Sequence, residues 1–176
     1  NITMAPSRDA LQMLEIEGFR NVKLLGRGVD TELFSPAQRS LCLREQWGVS
    51  DDENVVLIVG RVAPEKNLEF AMKVLAEMRL VQPALQAIIV GDGPSRKSLT
   101  DRHPLVQFVG MKQGVELAQC YASADILLFP SETETFGNVL MEGMASGLVS
   151  VSYAYAASSL FIRDGENGFH AELSNE

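Results

Sequence analysis

Apolar residues fall along this chain in two alternating patterns. The first is a short run with little or no polar interruption: Val55-Val56-Leu57-Ile58-Val59, Ala87-Ile88-Ile89-Val90, Val106-Gln107-Phe108-Val109 and Ile126-Leu127-Leu128-Phe129. Runs of this length and density read as strands covered on both faces. The second pattern has helical spacing. Ala71, Leu75 and Met78 share one face of a stretch from Leu68 to about Leu80, which Asn67 could cap. Val139, Leu140, Met141, Met144 and Ala145 stripe a stretch that opens near Gly137 and is stopped by Gly147. Shorter helices are expected from Ser95 to Arg102, Val115 to Ala122 and Ala156 to Ile162, and further strands at Val149–Ser152 and Gly168–His170. Strands alternating with helices imply a parallel sheet with helices on both faces. The expected fold class is therefore α/β, a Rossmann-like parallel sheet, and ligands of such sheets bind beyond the carboxyl ends of the strands.

The first fifty residues are less regular. Asn1–Pro6 reads as the remnant of a strand, Ser7 or Asp9 as the cap of a helix through Leu14 and Ile16, and Asn21–Leu25 as a strand ending at Gly26. Phe34-Ser35-Pro36 breaks the pattern, and a short amphipathic piece from Arg39 to Trp47 leads to the charged loop Asp51-Asp52-Glu53. Those three carboxylates precede the first core strand, so they lie at the wrong edge of the sheet for a ligand site and read as a solvated turn.

Composition narrows the class of partner. The 176 residues, 46% apolar and 22% charged, suit a soluble globular domain. No apolar run approaches the roughly 18 residues that span a bilayer. A formal charge of −8 argues against nucleic acid. Cys42 and Cys120 lack metal-ligand spacing and suggest free thiols in a reducing, cytoplasmic setting. His103 and His170 read as ordinary surface or turn residues. The chain does not begin with Met, which suggests an excised fragment.

The chemistry collects at the carboxyl ends of the expected strands. The first ends at Gly60-Arg61, followed by Pro64-Glu65-Lys66. Gly60 lets a ligand approach the backbone. Arg61 and Lys66 stand five apart across a turn, so both cations can point into one crevice and neutralise a diphosphate. Alone, the pair reads rather as a solvated charge cluster. The second strand ends at Gly91-Asp92-Gly93-Pro94, where Arg96 stands in place of the third glycine of a dinucleotide fingerprint. The helix opening at Gly137 presents unpaired N–H groups and a partial positive charge, which suit a phosphate. Glu134 lies just ahead of it, and Glu142 about 6 Å inside at 1.5 Å per residue. That offset is about the step from a diphosphate to a ribose. Glu142 is expected to accept from sugar hydroxyls and Glu134 to face the transferred group. Either carboxylate alone is also what a helix start favours.

In their order, these motifs resemble the donor-binding half of retaining glycosyltransferases of the GT-B architecture, family 4. The resemblance is carried by Gly28-Val29-Asp30 with Phe34 and Pro36, Val59-Gly60-Arg61 with Glu65-Lys66-Asn67, and Val90-Gly91-Asp92-Gly93-Pro94. It continues through Phe108-Val109-Gly110, Tyr121-Ala122-Ser123-Ala124-Asp125, Phe129-Pro130-Ser131 and Glu134-Thr135-Phe136-Gly137-Asn138. Seven residues separate Glu134 from Glu142, the family's paired-glutamate spacing, and Ala145-Ser146-Gly147 and Gly165-Glu166-Asn167-Gly168 complete the series.

The resemblance implies roles. Arg61 and Lys66 would grip the donor diphosphate, and Glu142 would hold the nucleotide ribose. Glu134, with the N–H groups of Phe136 and Gly137, would hold the donor sugar. Asn138 and Val139 would offer N–H groups to phosphate, while Gly60 admits the ligand and Gly91 and Met111 flank the base. No metal or other cofactor is expected; the donor is a nucleotide diphosphate sugar. Residues 1–35 would be a segment and linker from an N-terminal acceptor domain, and residues 36–176 a donor domain cut short. The glycan or lipid acceptor would belong to the missing domain, the fragment alone would not transfer sugar, and the parent could associate peripherally with a membrane. The rival readings are a non-catalytic nucleotide-binding module, a nucleotide-sugar epimerase or hydrolase of similar fold, and a nicotinamide-dependent oxidoreductase.

Overall fold

The computed structural model describes residues 1–131, 136–154 and 157–172. Two parallel sheets are present among them. The smaller pairs β1 (Thr3–Ala5) with β2 (Val22–Leu24) across α1 (Arg8–Ile16), whose N-cap is Ser7. The larger has six strands: β3 (Val55–Val59), β4 (Gln86–Val90), β5 (Val106–Gly110), β6 (Ile126–Phe129), β7 (Val149–Tyr153) and β8 (Gly168–Ala171). Their order is β5-β4-β3-β6-β7-β8, all parallel. The chain therefore builds outward from β3 to one edge, returns to β6 beside β3, and builds outward to the other edge.

Alternation of side chains along each strand feeds two cores. On one face Val55, Leu57, Ile88, Val90 and Leu127 pack with Tyr121 of α5 (Gly114–Ala122), Leu140 of α6 (Asn138–Ala145) and Ala157 of α7 (Ala157–Phe161). On the other, Val56, Ile58, Ala87, Ile89 and Leu128 pack with Ala71 and Leu75 of α3 (Leu68–Val81) and Leu99 of α4 (Arg96–Arg102). The expected helices cover both faces. Asn67 differs from the expectation of a side-chain cap: it turns into α3 through the left-handed region, at φ 51° and ψ 36°.

The amphipathic piece before β3 becomes α2 (Leu41–Gln46), capped by the Ser40 hydroxyl. It carries a residue that helical spacing gave no reason to bury. The Arg44 side chain is 1% exposed. It donates to the carbonyls of Ser123, Ser50 and Glu53 and meets Asp125. Phe34 and Trp47 close the same core from outside the sheet.

Candidate functional site

β3 and β6 are the strands at which the sheet order reverses, and in open α/β sheets the crevice at that point takes the ligand. Here the crevice has a visible cause. β3 follows β4 for five residues, and β6 follows β7 for four. Between β3 and β6 the pairing covers only Val56–Ile126 and Leu57–Leu127, and stops two residues before either strand ends. The carboxyl ends splay, and one cavity lies between them. Gly60, Arg61 and Lys66 line it from the β3 side, and Phe129, Pro130 and Ser131 from the β6 side.

The two cations differ in setting. Lys66 reaches across the crevice, its Nζ 3.4 Å from Ser131 Oγ. The Arg61 side chain is 65% exposed and its Nη1 lies 3.1 Å from Glu65 Oε1. An exposed pair of this kind is worth little and is exchanged readily for a better anion.

Two glycines at the strand ends have different reasons to be glycine. Gly91, at φ 143°, lies against the β3 end so closely that a Cβ there would stand 1.8 Å from the Gly60 carbonyl oxygen. Gly60, at φ 149°, has no heavy atom within 4 Å of such a position, so its backbone conformation alone sets the requirement. Beyond Gly91, the Asp92 carboxylate accepts from the Gly93 N–H at 2.7 Å and from Arg96 Nη1 at 2.8 Å. Those bonds, the backbone one first, hold the Asp92 carboxyl below its ordinary range. Arg96 Nη2 also donates to the Phe108 carbonyl, and the Gly91 N–H to that of Gly110. The ends of β4 and β5 are thereby fastened together, with Met111 exposed beside them.

α6 starts beside the splayed end of β6. Phe136 is buried, and its carbonyl accepts from the Ala157 N–H at 3.0 Å. Gly137 turns the chain at φ 97°, where a Cβ would be 4.0 Å from the Phe129 ring. Asn138 and Val139 form the first turn, and Glu142 lies one turn in. The Tyr121 hydroxyl donates to Glu142 Oε2 at 2.9 Å. Burial pushes the Glu142 carboxyl above its ordinary range, and the tyrosine bond opposes that shift. Burial, and then the Glu142 charge, push the Tyr121 hydroxyl well up.

The comparison with known proteins bears on this arrangement. A family model described as "Glycosyl transferases group 1" matches residues 42–176. This chain is a group 1 glycosyltransferase domain. It is 36% identical over 166 residues to a GDP-mannose-dependent alpha-mannosyltransferase of Corynebacterium glutamicum, covering 94% of this chain and 39% of that protein. It is 41% identical over 146 residues to the protein of that name from Mycolicibacterium smegmatis, covering 83% and 37%. Thus the chain spans well under half the length of these relatives. Among solved structures, Anabaena Alr3699/HepE in complex with UDP and glucose superposes with a TM-score of 0.82 at 26% identity, over 97% of this chain and 49% of that one. The C-terminal domain of a group 1 glycosyl transferase, LpcC of Francisella tularensis, shares the fold at a TM-score of 0.71 and 24% identity, over 82% of this chain and 80% of that one. The Rossmann-like sheet expected from the sequence is the one these glycosyltransferases carry.

In the group 1 domain, then, Gly60, Arg61 and Lys66 line one cavity, whose lining does not include Phe136, Gly137, Asn138, Val139 or Glu142; Phe136 and Gly137 lead into α6, which carries the other three. Gly91 backs onto Gly60, and Met111 stands two strands out from the crevice. Glu134 lies outside the described residues. The sequence reading gave no role to Ser131 or Tyr121, because each takes its place only through a partner distant in the chain. For Arg96 it noted only a missing glycine; the residue's neighbours on β4 and β5 were not legible. Among the described residues no group of His, Cys, Asp and Glu could hold a metal ion, and no helix is long and apolar enough to cross a membrane.

Proposed function

We propose that this chain is the donor-binding part of a retaining hexosyltransferase, family 4 of the GT-B type, using a UDP- or GDP-sugar. The observation that carries the reading is the Lys66–Ser131 contact across the splayed ends of β3 and β6, beside an open-backed Gly60. A diphosphate seated there would meet Lys66 and Arg61 as cations and the first-turn N–H groups of Asn138 and Val139 as donors. Electrostatic stabilisation of the leaving diphosphate is the largest task in such a transfer. Glu142 would accept from the ribose, the rim at Gly91 and Met111 would flank the base, and Glu134 with Phe136 and Gly137 would hold the sugar. The relatives' GDP-mannose and the UDP of the Anabaena complex support a nucleotide sugar in this place.

Residues 36–176 form the donor domain in this reading, and residues 1–35 belong with a second domain that binds a glycan or lipid acceptor. The separate two-stranded sheet of β1 and β2 supports that division. The test is calorimetric titration of the chain with UDP, GDP and ADP and their sugars. UDP or GDP should bind, and Lys66→Ala should weaken binding by about 1.5–3 kcal/mol, the worth of a charge-assisted bond. Failure of all three nucleotides to bind, or an unchanged affinity in Lys66→Ala, would overturn the assignment. Added alone to donor and acceptor, the chain should transfer no sugar.

A further inference from the structure

Tyr121 is completely buried, yet its hydroxyl ends on a carboxylate that is only half-buried. Both residues lie on helices that begin at the carboxyl edge of the sheet, α5 after β5 and α6 after β6. Helical side chains lean toward the N-terminus of their own helix. By that rule the Glu142 carboxylate is expected over the first turn of α6, and the Tyr121 ring over the turn of α5 that precedes it. The ring itself is held: Phe34 meets it edge-on, with centroids 5.7 Å apart and planes at 82°. Phe34 is fixed in turn by the Asp30 turn, whose carboxylate accepts from the Glu32 and Leu33 N–H groups and whose carbonyl accepts from the Phe34 N–H.

A buried phenol needs a hydrogen-bond acceptor, and a main-chain carbonyl would serve. This one instead takes Oε2 of Glu142, and among the described residues Oε1 accepts no bond. We infer that Tyr121 is a positioning residue for donor binding: it locks the Glu142 carboxylate so that Oε1 faces the ribose hydroxyls of the nucleotide. This rests on the donor-binding reading above. A rotationally fixed carboxylate loses less side-chain freedom when the ligand arrives, so the bond should raise affinity through preorganisation.

The experiment compares Tyr121→Phe with the unaltered chain, using UDP and GDP and their 2′,3′-dideoxy analogues as probes. The ring and its contact with Phe34 are kept in this variant. Its affinity for the ribonucleotide should fall about tenfold, while its affinity for the dideoxy nucleotide equals that of the unaltered chain. In a Glu142→Ala background, which leaves the tyrosine no carboxylate to hold, Tyr121→Phe should produce a clearly smaller loss than it does alone, because the two residues act as one unit. An unchanged ribonucleotide affinity in Tyr121→Phe, or equal losses for both kinds of nucleotide, would overturn the inference while leaving donor binding intact. Full additivity of the two substitutions would overturn it as well, and needs no comparison across nucleotides. If the unaltered chain binds neither UDP nor GDP, the donor reading itself fails and takes this inference with it.

Discussion

Arg44 and Asp125 meet at the amino ends of the two strands that frame the crevice, with Nη1 3.3 Å from Oδ2. The same Asp125 oxygen accepts from the Val55 N–H at 2.8 Å, so it ties the start of β3 to the start of β6. Arg39 reaches the other oxygen at 3.4 Å. The sheet is thus fastened at its amino edge beneath the pair of strands whose carboxyl ends part. The Arg44 guanidinium also donates to three carbonyls, while its Nε, 3.8 Å from Asp51 Oδ1, makes no hydrogen bond among the described residues.

Removing one member of a buried charge pair leaves the other unpaired, which costs about 3–5 kcal/mol when both are fully buried. Asp125 is 27% exposed and keeps Arg39, so Arg44→Met should lose about 2–3 kcal/mol. Urea denaturation should show this as a lower midpoint. Nucleotide affinity at temperatures where the variant is folded should not change, because the pair sits at the opposite edge from the crevice. A loss of affinity without a loss of stability would refute this division of labour.

The two strand-end glycines should respond differently to alanine. Gly91→Ala places a Cβ against the Gly60 carbonyl oxygen in a backbone region that alanine avoids. It should cost about 3 kcal/mol or more, since neither backbone can yield without breaking the Gly60–Val90 and Gly91–Gly110 bonds. Gly60→Ala meets open space and only the strain of its φ, about 1–2 kcal/mol. Thermal unfolding of both variants checks the order, and a Gly60 variant as unstable as the Gly91 variant would contradict it.

Glu142 should weaken the fold that it serves. Its folded pKa lies above the 4.5 of the free side chain, mainly through burial. For a group shifted in this direction, the stabilising contribution is complete below about pH 4.5 and is lost as pH rises through the folded value. Glu142→Gln has no such titration and keeps an acceptor for Tyr121. It should therefore be more stable than the unaltered chain at pH 7, with the advantage shrinking as the pH falls through the folded value toward 4.5 and absent below that. Its nucleotide affinity should drop in the same experiment. Melting curves between pH 3.5 and 7 test the sign, and a destabilised Gln variant at pH 7 would count against it.

The two cysteines should separate cleanly. Cys42 is exposed, whereas Cys120 is buried and burial pushes its thiol up to about 11. A thiol reagent at pH 8 should label one site in the folded chain and two in denaturant, because the thiolate is the reacting form. Fast labelling of both sites under native conditions would show that the core around Cys120 opens. Linkage gives a second reading. The folded pKa exceeds the ordinary 9.0, so stability from this site holds below about pH 9 and declines as pH rises toward 11.

The sequence by itself determined the elements and set the glycines and cations of the candidate site at the carboxyl edge of the sheet. Unbroken apolar runs such as Val55–Val59 mark buried strands because both their faces must be covered. Gly60 and Arg61 are recognisable because they follow a run directly, and Lys66 and Gly137 because they come within eight residues of one, so a local pattern is enough to place them. What only the tertiary structure decided is which strands are neighbours and which distant side chains meet. Lys66 and Ser131 are 65 residues apart, Arg44 and Asp125 81, and Tyr121 and Glu142 21. No periodicity encodes such pairs. Arg44 reads as the polar side of a small amphipathic helix until the starts of β3 and β6 close over it. The physical reason is that hydrophobic patterning is short-ranged and repeats along the chain, whereas a buried polar group is satisfied by whichever partner the packed sheet brings within hydrogen-bond reach.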